Sequence, residues 1–193
     1  MACKQFADAR CVAHNEVANT TIQAVHDELR ARMPDEQRRE VERHPVLWLD
    51  TPMQQLYPRL WRTKQGTFRP DGVIFDHENR TIHVLELTRG MDANEWGWRL
   101  KEDAKIAAYH STAMFLQAQH PGYTVIQTTF IVGVLGSVVE SEWTRKLANM
   151  GLDAPAILRV VEKTVRAAIR AFDETLSARQ TAREALGGEG STL

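Results

Sequence analysis

Two runs of strand-forming residues, separated by four polar ones, constrain this chain more than any other stretch. The first is Arg69-Pro70-Asp71-Gly72-Val73-Ile74-Phe75, and the second is Thr81-Ile82-His83-Val84-Leu85-Glu86-Leu87-Thr88. Both are rich in β-branched and apolar residues and are bounded by turn formers. His77-Glu78-Asn79-Arg80 between them supply a four-residue hairpin loop. With that loop, Phe75 faces Ile82, Val73 faces Val84 and Asp71 faces Glu86. Side chains alternate along a strand. Asp71 and Glu86 therefore share one face, with β-carbons roughly 4.5–5.5 Å apart. An odd-numbered loop would break this register.

Opposed carboxylates repel unless one keeps its proton or a divalent cation sits between them. Mg²⁺ is commonly held by one or two carboxylates together with water and phosphate. Without such a remedy both acids belong on a solvated sheet face. The following segment bears on the choice. Glu95 to Leu116 has helical spacing, with Leu100, Ala104, Ala107, Ala108 and Phe115 as its apolar positions. Lys101, Lys105 and Tyr109 recur every four residues and form one ridge. Taken alone, the lysines read as a solvated helix face. Packed on the sheet, the ridge would meet the carboxylates and complete the groups needed for metal-dependent phosphodiester hydrolysis.

Pro-Asp, fourteen residues, then Glu-x-Thr resembles the core of the PD-(D/E)xK, or restriction-endonuclease-like, nucleases. The chain is most similar to the C-terminal endonuclease domain of site-specific non-LTR retrotransposons. Arg69-Pro70-Asp71, Glu86, Ala104-Lys105 and Tyr109 follow that branch in order, and His14-Asn15 with Val17 resembles the segment preceding its nuclease core. The resemblance covers roughly residues 11 to 135. It implies a mixed β-sheet flanked by helices and DNA as partner. It further implies Mg²⁺ or Mn²⁺ held by Asp71, Glu86 and the Leu87 carbonyl, with Lys105 or Lys101 assisting and Tyr109 orienting the lysine or the phosphate. Some nucleases of this class add an acid from their first helix, for which Glu16 or Glu28 is available. The common form of the superfamily carries its lysine two residues after the acid, where this chain has Thr88. The similar retrotransposon domains take the lysine from the following helix. In those elements the domain nicks target DNA to prime reverse transcription. No polymerase segment precedes it here, so the chain reads as a detached domain or a degenerate copy, whose partner in the parent element would be a reverse transcriptase. Archaeal Holliday-junction resolvases share the core, so a branched substrate is the alternative.

A formal charge of −1 is low for a nucleic-acid enzyme. Locally the balance differs: Arg59, Arg62, Lys64 and Arg69 cluster before the acidic strand, interleaved with Tyr57, Trp61 and Phe68. Such a loop tracks a phosphate backbone or stacks on an unpaired base; alternatively it is an ordinary surface loop. Two cysteines imply no disulfide framework and suit a reducing compartment, hence an intracellular protein, nuclear in a eukaryote. Cys3, Cys11 and His14 lack the tight start and the fourth ligand of most zinc sites. Similar retrotransposon proteins carry a zinc knuckle upstream of the nuclease, of which Cys3 would be a remnant. No signal peptide is visible, and the apolar run from Phe130 to Val139 is too short to span a membrane.

A length of 193 residues, 43% hydrophobic and 25% charged, suits one well-buried domain. Residues 1–11 read as an N-terminal extension, 12–180 as the domain and 181–193 as a disordered tail. Val12 to Met33 reads as an amphipathic helix with Val12, Val17, Ile22, Val25 and Leu29 inward. Asp35 to Arg43 reads as a second helix, and Val46 to Leu49 as the first strand. Thr51 to Phe68 is expected to be irregular. Tyr123 to Leu135 reads as a buried strand, and Glu140 to Met150 as a helix stopped by Gly151. Ala154 to about Leu186 reads as one long helix burying Ile157, Val160, Val161, Val165, Ile169, Phe172 and Leu176. Arg159, Lys163, Arg166 and Arg170 ridge that helix, to grip phosphates or simply to face water. The expected class is α/β, with a metal-dependent endonuclease as the leading function. A silent nucleic-acid-binding module and a structural interaction domain are the alternatives.

Overall fold

A computed structural model of the protein describes residues 2–33, 46–58, 68–90 and 95–187. The elements are α1 (Ala2–Ala31), β1 (Val46–Leu49), α2 (Met53–Leu56), β2 (Gly72–Asp76), β3 (Thr81–Gly90), α3 (Glu95–Gln119), β4 (Thr124–Gly133), α4 (Glu140–Asn149) and α5 (Ala154–Gly187). The four strands form one mixed sheet in the order β1-β2-β3-β4, flanked by helices, with the long C-terminal helix α5 on one side. β1, β2 and β3 are antiparallel neighbours, while β4 runs parallel to β3. A parallel neighbour requires a crossover, which α3 provides.

The β2–β3 register pairs Val73 with Val84 and Phe75 with Ile82 across the loop 77–80. Alternation then divides the sheet between two cores. Ile74, Leu85, Leu87, Phe130 and Val132 face α1, α4 and α5. Val73, Phe75, Ile82 and Val84 face Met53 of α2 and Leu116 of α3. Gly72 permits the first packing. A β-carbon there would lie 2.6 Å from Ile22 Cγ2, so α1 sits directly on the main chain beside Asp71.

Several helix faces differ from the periodic reading. α1 already begins at Ala2, inside the expected extension. Val17, Ile22, Val25 and Leu29 are buried as expected, but Val12 is 63% exposed, and Ala13, Ala18 and Ala24 are buried besides. The cause is α5, which runs alongside α1 and joins it through Thr21–Thr164 at 2.9 Å. α5 buries its small residues Ala167, Ala168 and Ala171 in that same core, leaving Ile169 and Leu176 about half exposed. Helices meeting along their length favour small side chains at the contact and turn the larger ones outward. α5 also continues through residues 181–187 of the expected tail. β4 is buried only from Thr128 onward, because it is the sheet edge and α4 covers that half, stacking Trp143 on Phe130. α2 is a single helical turn within the stretch expected to be irregular. The helix expected at Asp35–Arg43 lies outside the described residues. Among the described residues, no helix is long and apolar enough to cross a membrane.

Candidate active site

Continuing the β2–β3 register by one residue places Asp71 opposite Glu86, and the side chains confirm the juxtaposition. Asp71 Oδ2 accepts the Leu87 N–H at 2.7 Å, and Glu86 Oε1 accepts the Asp71 N–H at 3.3 Å. Glu86 is 4% exposed. Burial, followed by the Asp71 charge, raises its carboxyl above the ordinary range, and the opposing pull of Lys105 does not cancel this. A buried carboxyl with a raised pKa beside a second acid is a pair short of positive charge.

Lys105 supplies part of that charge, donating from Nζ to Glu86 Oε2 at 2.9 Å. Lys101 does not reach the pair. It is exposed, and its Nζ lies beside Gly90 at the far end of β3. Gly90 stands four residues from Glu86, roughly 13 Å along a strand. Of the two lysines on the ridge, geometry therefore places Lys105 at the carboxylates. Tyr109, one turn on, donates to the Arg69 carbonyl at 3.1 Å and lies 5.9 Å from the Lys105 ammonium. Burial and the surrounding carboxylates raise its hydroxyl far above the usual range, so it stays protonated.

Two residues at the site were not assigned to it by sequence reasoning. His14 Nε2 of α1 lies 3.7 Å from Asp71 Oδ1. Asp50, just past β1, donates its N–H to the Asp71 carbonyl at 2.9 Å. The His14-Asn15 pair was noticeable in the sequence, but nothing local shows that α1 crosses beside Asp71. Asp50 adopts φ 45°, which aspartate tolerates in turns, and Asp-Thr-Pro after a strand was the available signal.

Other assignments come apart. The Arg69 guanidinium pairs with Asp50, Nη2 donating to Oδ2 at 2.6 Å, while its side chain stays 55% exposed. Glu16 is held by Arg170 at 2.6 Å, and Glu28 by Arg159 at 2.7 and 2.8 Å, so neither acid turns toward Asp71. With Arg166 on Glu162, three cations of the α5 ridge are neutralised within the chain. Thr88 follows Glu86 on the same face, and its Oγ1 is buried without a hydrogen-bond partner among the described residues. Arg59, Arg62, Lys64 and the Cys3 side chain lie outside the described residues. Cys11 is exposed and free. Among the described residues, no group of three or more His, Cys, Asp or Glu side chains gathers as a metal cage.

The donor set nevertheless suits a hard divalent ion that keeps part of its water, which needs one or two carboxylates rather than a cage. Among the described residues Asp71 Oδ1 accepts no hydrogen bond, and the Leu87 main chain is tied to Asp71 by its amide. No family model and no curated protein matches the sequence, so the functional reading rests on this geometry.

Proposed function

We propose that the protein is a metal-dependent DNA endonuclease that hydrolyses a phosphodiester bond to leave a nick. The observation that carries the reading is the Lys105 ammonium seated on Glu86, with Asp71 interlocked opposite. Asp71 and Glu86, with the Leu87 carbonyl, would hold Mg²⁺ or Mn²⁺, which when bound polarises a phosphate and lowers the pKa of water.

The remaining steps belong to the chain. Lys105 stands where negative charge develops on the phosphate oxygens, and a fixed ammonium in a partly enclosed site stabilises that charge without reorganising. Tyr109 holds the Arg69 carbonyl and flanks the ammonium, limiting the positions Lys105 can take. His14 stands at the rim beside Asp71, 31% exposed and accessible to a backbone phosphate.

Nicking of supercoiled plasmid tests the reading. Wild type is expected to nick with Mn²⁺ and not with EDTA, and Asp71→Ala to lose the activity in both. Metal-independent nicking, or nicking indifferent to Asp71→Ala, would overturn it. A gel shift of labelled DNA without cleavage would identify a silent binding module instead. Cruciform plasmid cut in preference to linear duplex would identify a junction-resolving enzyme.

A further inference from the structure

The half of α3 that carries Lys105 is held in place almost without apolar burial. From Gly97 to Ser111 no side chain is buried; Thr112, Ala113 and Leu116 are the first that are. Leu100 is 56% exposed and Ile106 38%. A surface helix normally takes its position from a buried apolar stripe. Among the described residues, polar contacts stand in its place: Lys105 on Glu86, Tyr109 on the Arg69 carbonyl with its ring set against Phe68, and Glu102 on Lys146 at 2.8 Å.

The third contact differs from the other two. The Lys146 side chain is 9% exposed and reaches from α4 across the edge of the sheet. Its Nζ also donates to the Thr129 carbonyl at 2.9 Å. Thr129 is the β4 residue in register with Glu86. One ammonium thus ties α3, α4 and β4 together at the level of the carboxylate pair. A cavity of about 470 Å³ lies in the groove between α3 and α4, and one of about 220 Å³ lies between β4 and α4; both are lined by Glu102, Arg145 and Lys146. The Glu102–Lys146 pair bridges that groove. Glu102 precedes Lys105 by three residues, so the two are neighbours on the helix surface.

We propose that Lys146 and Glu102 are positioning residues for Lys105, setting the height of α3 over the sheet so that the Lys105 ammonium meets Glu86. The catalytic meaning of this placement rests on the endonuclease reading; the placement itself does not.

Amide hydrogen exchange and nicking kinetics on the full chain test the two separately. Glu102→Ala removes the α3 end of the bridge while leaving Lys146 on Thr129; Lys146→Met removes both contacts. In each, exchange over residues 97–109 is expected to speed up at least about fivefold, with 112–119 and α5 unchanged. Lys146→Arg, which keeps charge and donors, is expected to restore most of the protection. Unchanged exchange over 97–109, or an equal rise throughout the chain, would overturn the proposal. Should Lys146→Met fail to fold, Glu102→Ala decides. In the plasmid assay with Mn²⁺, kcat is expected to fall about tenfold in Glu102→Ala with KM for DNA unchanged, as a misplaced group would cause. An unaltered kcat would overturn the link to Lys105. If wild type does not nick at all, the endonuclease reading fails and the exchange result still decides the placement.

Discussion

Asp71 and Glu86 each grip the other's strand: the Asp71 carboxylate accepts the N–H of Leu87, and the Glu86 carboxylate accepts the N–H of Asp71. The exchange orients both groups, turning Asp71 Oδ1 and Glu86 Oε2 toward His14 and Lys105 respectively. It also gathers negative charge in a place where, among the described residues, one lysine answers it.

That excess has a thermodynamic signature. The Glu86 carboxyl titrates above its unfolded value of 4.5, so the folded chain binds this proton more tightly than the unfolded one. The ionised group therefore disfavours folding above the folded-state pKa and has no such effect below about 4.5. Glu86→Gln is expected to melt higher than wild type in EDTA at pH 7, with the difference vanishing near pH 4. Mn²⁺ is expected to raise the melting temperature of wild type and not of the variant. Calorimetry across that pH range checks both.

The two lysines of the α3 ridge separate by position. Lys105→Met removes the ammonium from Glu86 and is expected to lower kcat for nicking about a hundredfold, the scale of losing one charge-stabilising donor. Lys101→Met, altering an exposed side chain beside Gly90, is expected to leave kcat within about threefold. Single-turnover nicking with Mn²⁺ measures both. Equal losses would place the functional amine elsewhere.

His83 predicts an acid sensitivity unrelated to the site. It is 2% exposed on β3, and burial holds its imidazole down at about 4, with the Asp76 carboxylate opposing. The unfolded chain, titrating near 6.5, binds this proton more readily. Stability contributed by the neutral ring is thus full above 6.5 and is lost as pH falls toward 4. The loss across the window is on the order of 3 kcal/mol. His83→Leu is expected to flatten the urea midpoint between pH 6.5 and 4 while wild type declines.

Gly72 couples the acidic strand to α1. A methyl group there would meet Ile22 Cγ2 at 2.6 Å, near the stem of a buried, branched side chain that cannot swing aside. Gly72→Ala is expected to cost about 1–3 kcal/mol by urea denaturation, as overpacking does. In an Ile22→Ala background, where Cγ2 is absent, Gly72→Ala is expected to cost less than in wild type.

The opposed acids were legible in the sequence because their placement is local. A four-residue loop and two-residue alternation determine which side chain faces which, and β2 and β3 kept that register down to Asp71 and Glu86. The mixed sheet and the long last helix were legible for a similar reason, since strand and helix periods and the stops at Pro and Gly are written into neighbouring residues. Which helix face turns inward was not. Leu100, Ala104, Ala107 and Ala108 have the spacing of a core stripe, yet α3 turns Lys105 and Tyr109 to the sheet and leaves those four outside. Val12, Ile169 and Leu176 were misread likewise, because α1 and α5 choose their buried faces by fitting each other. His14 from α1 and Asp50 just past β1 reach the site from positions distant in the chain, and Lys146 of α4 reaches Glu102 of α3 in the same way. Alternation and turn length act between adjacent residues and can be read one element at a time. Burial and the choice between two lysines depend on what another element covers, and only the folded chain brings those elements together.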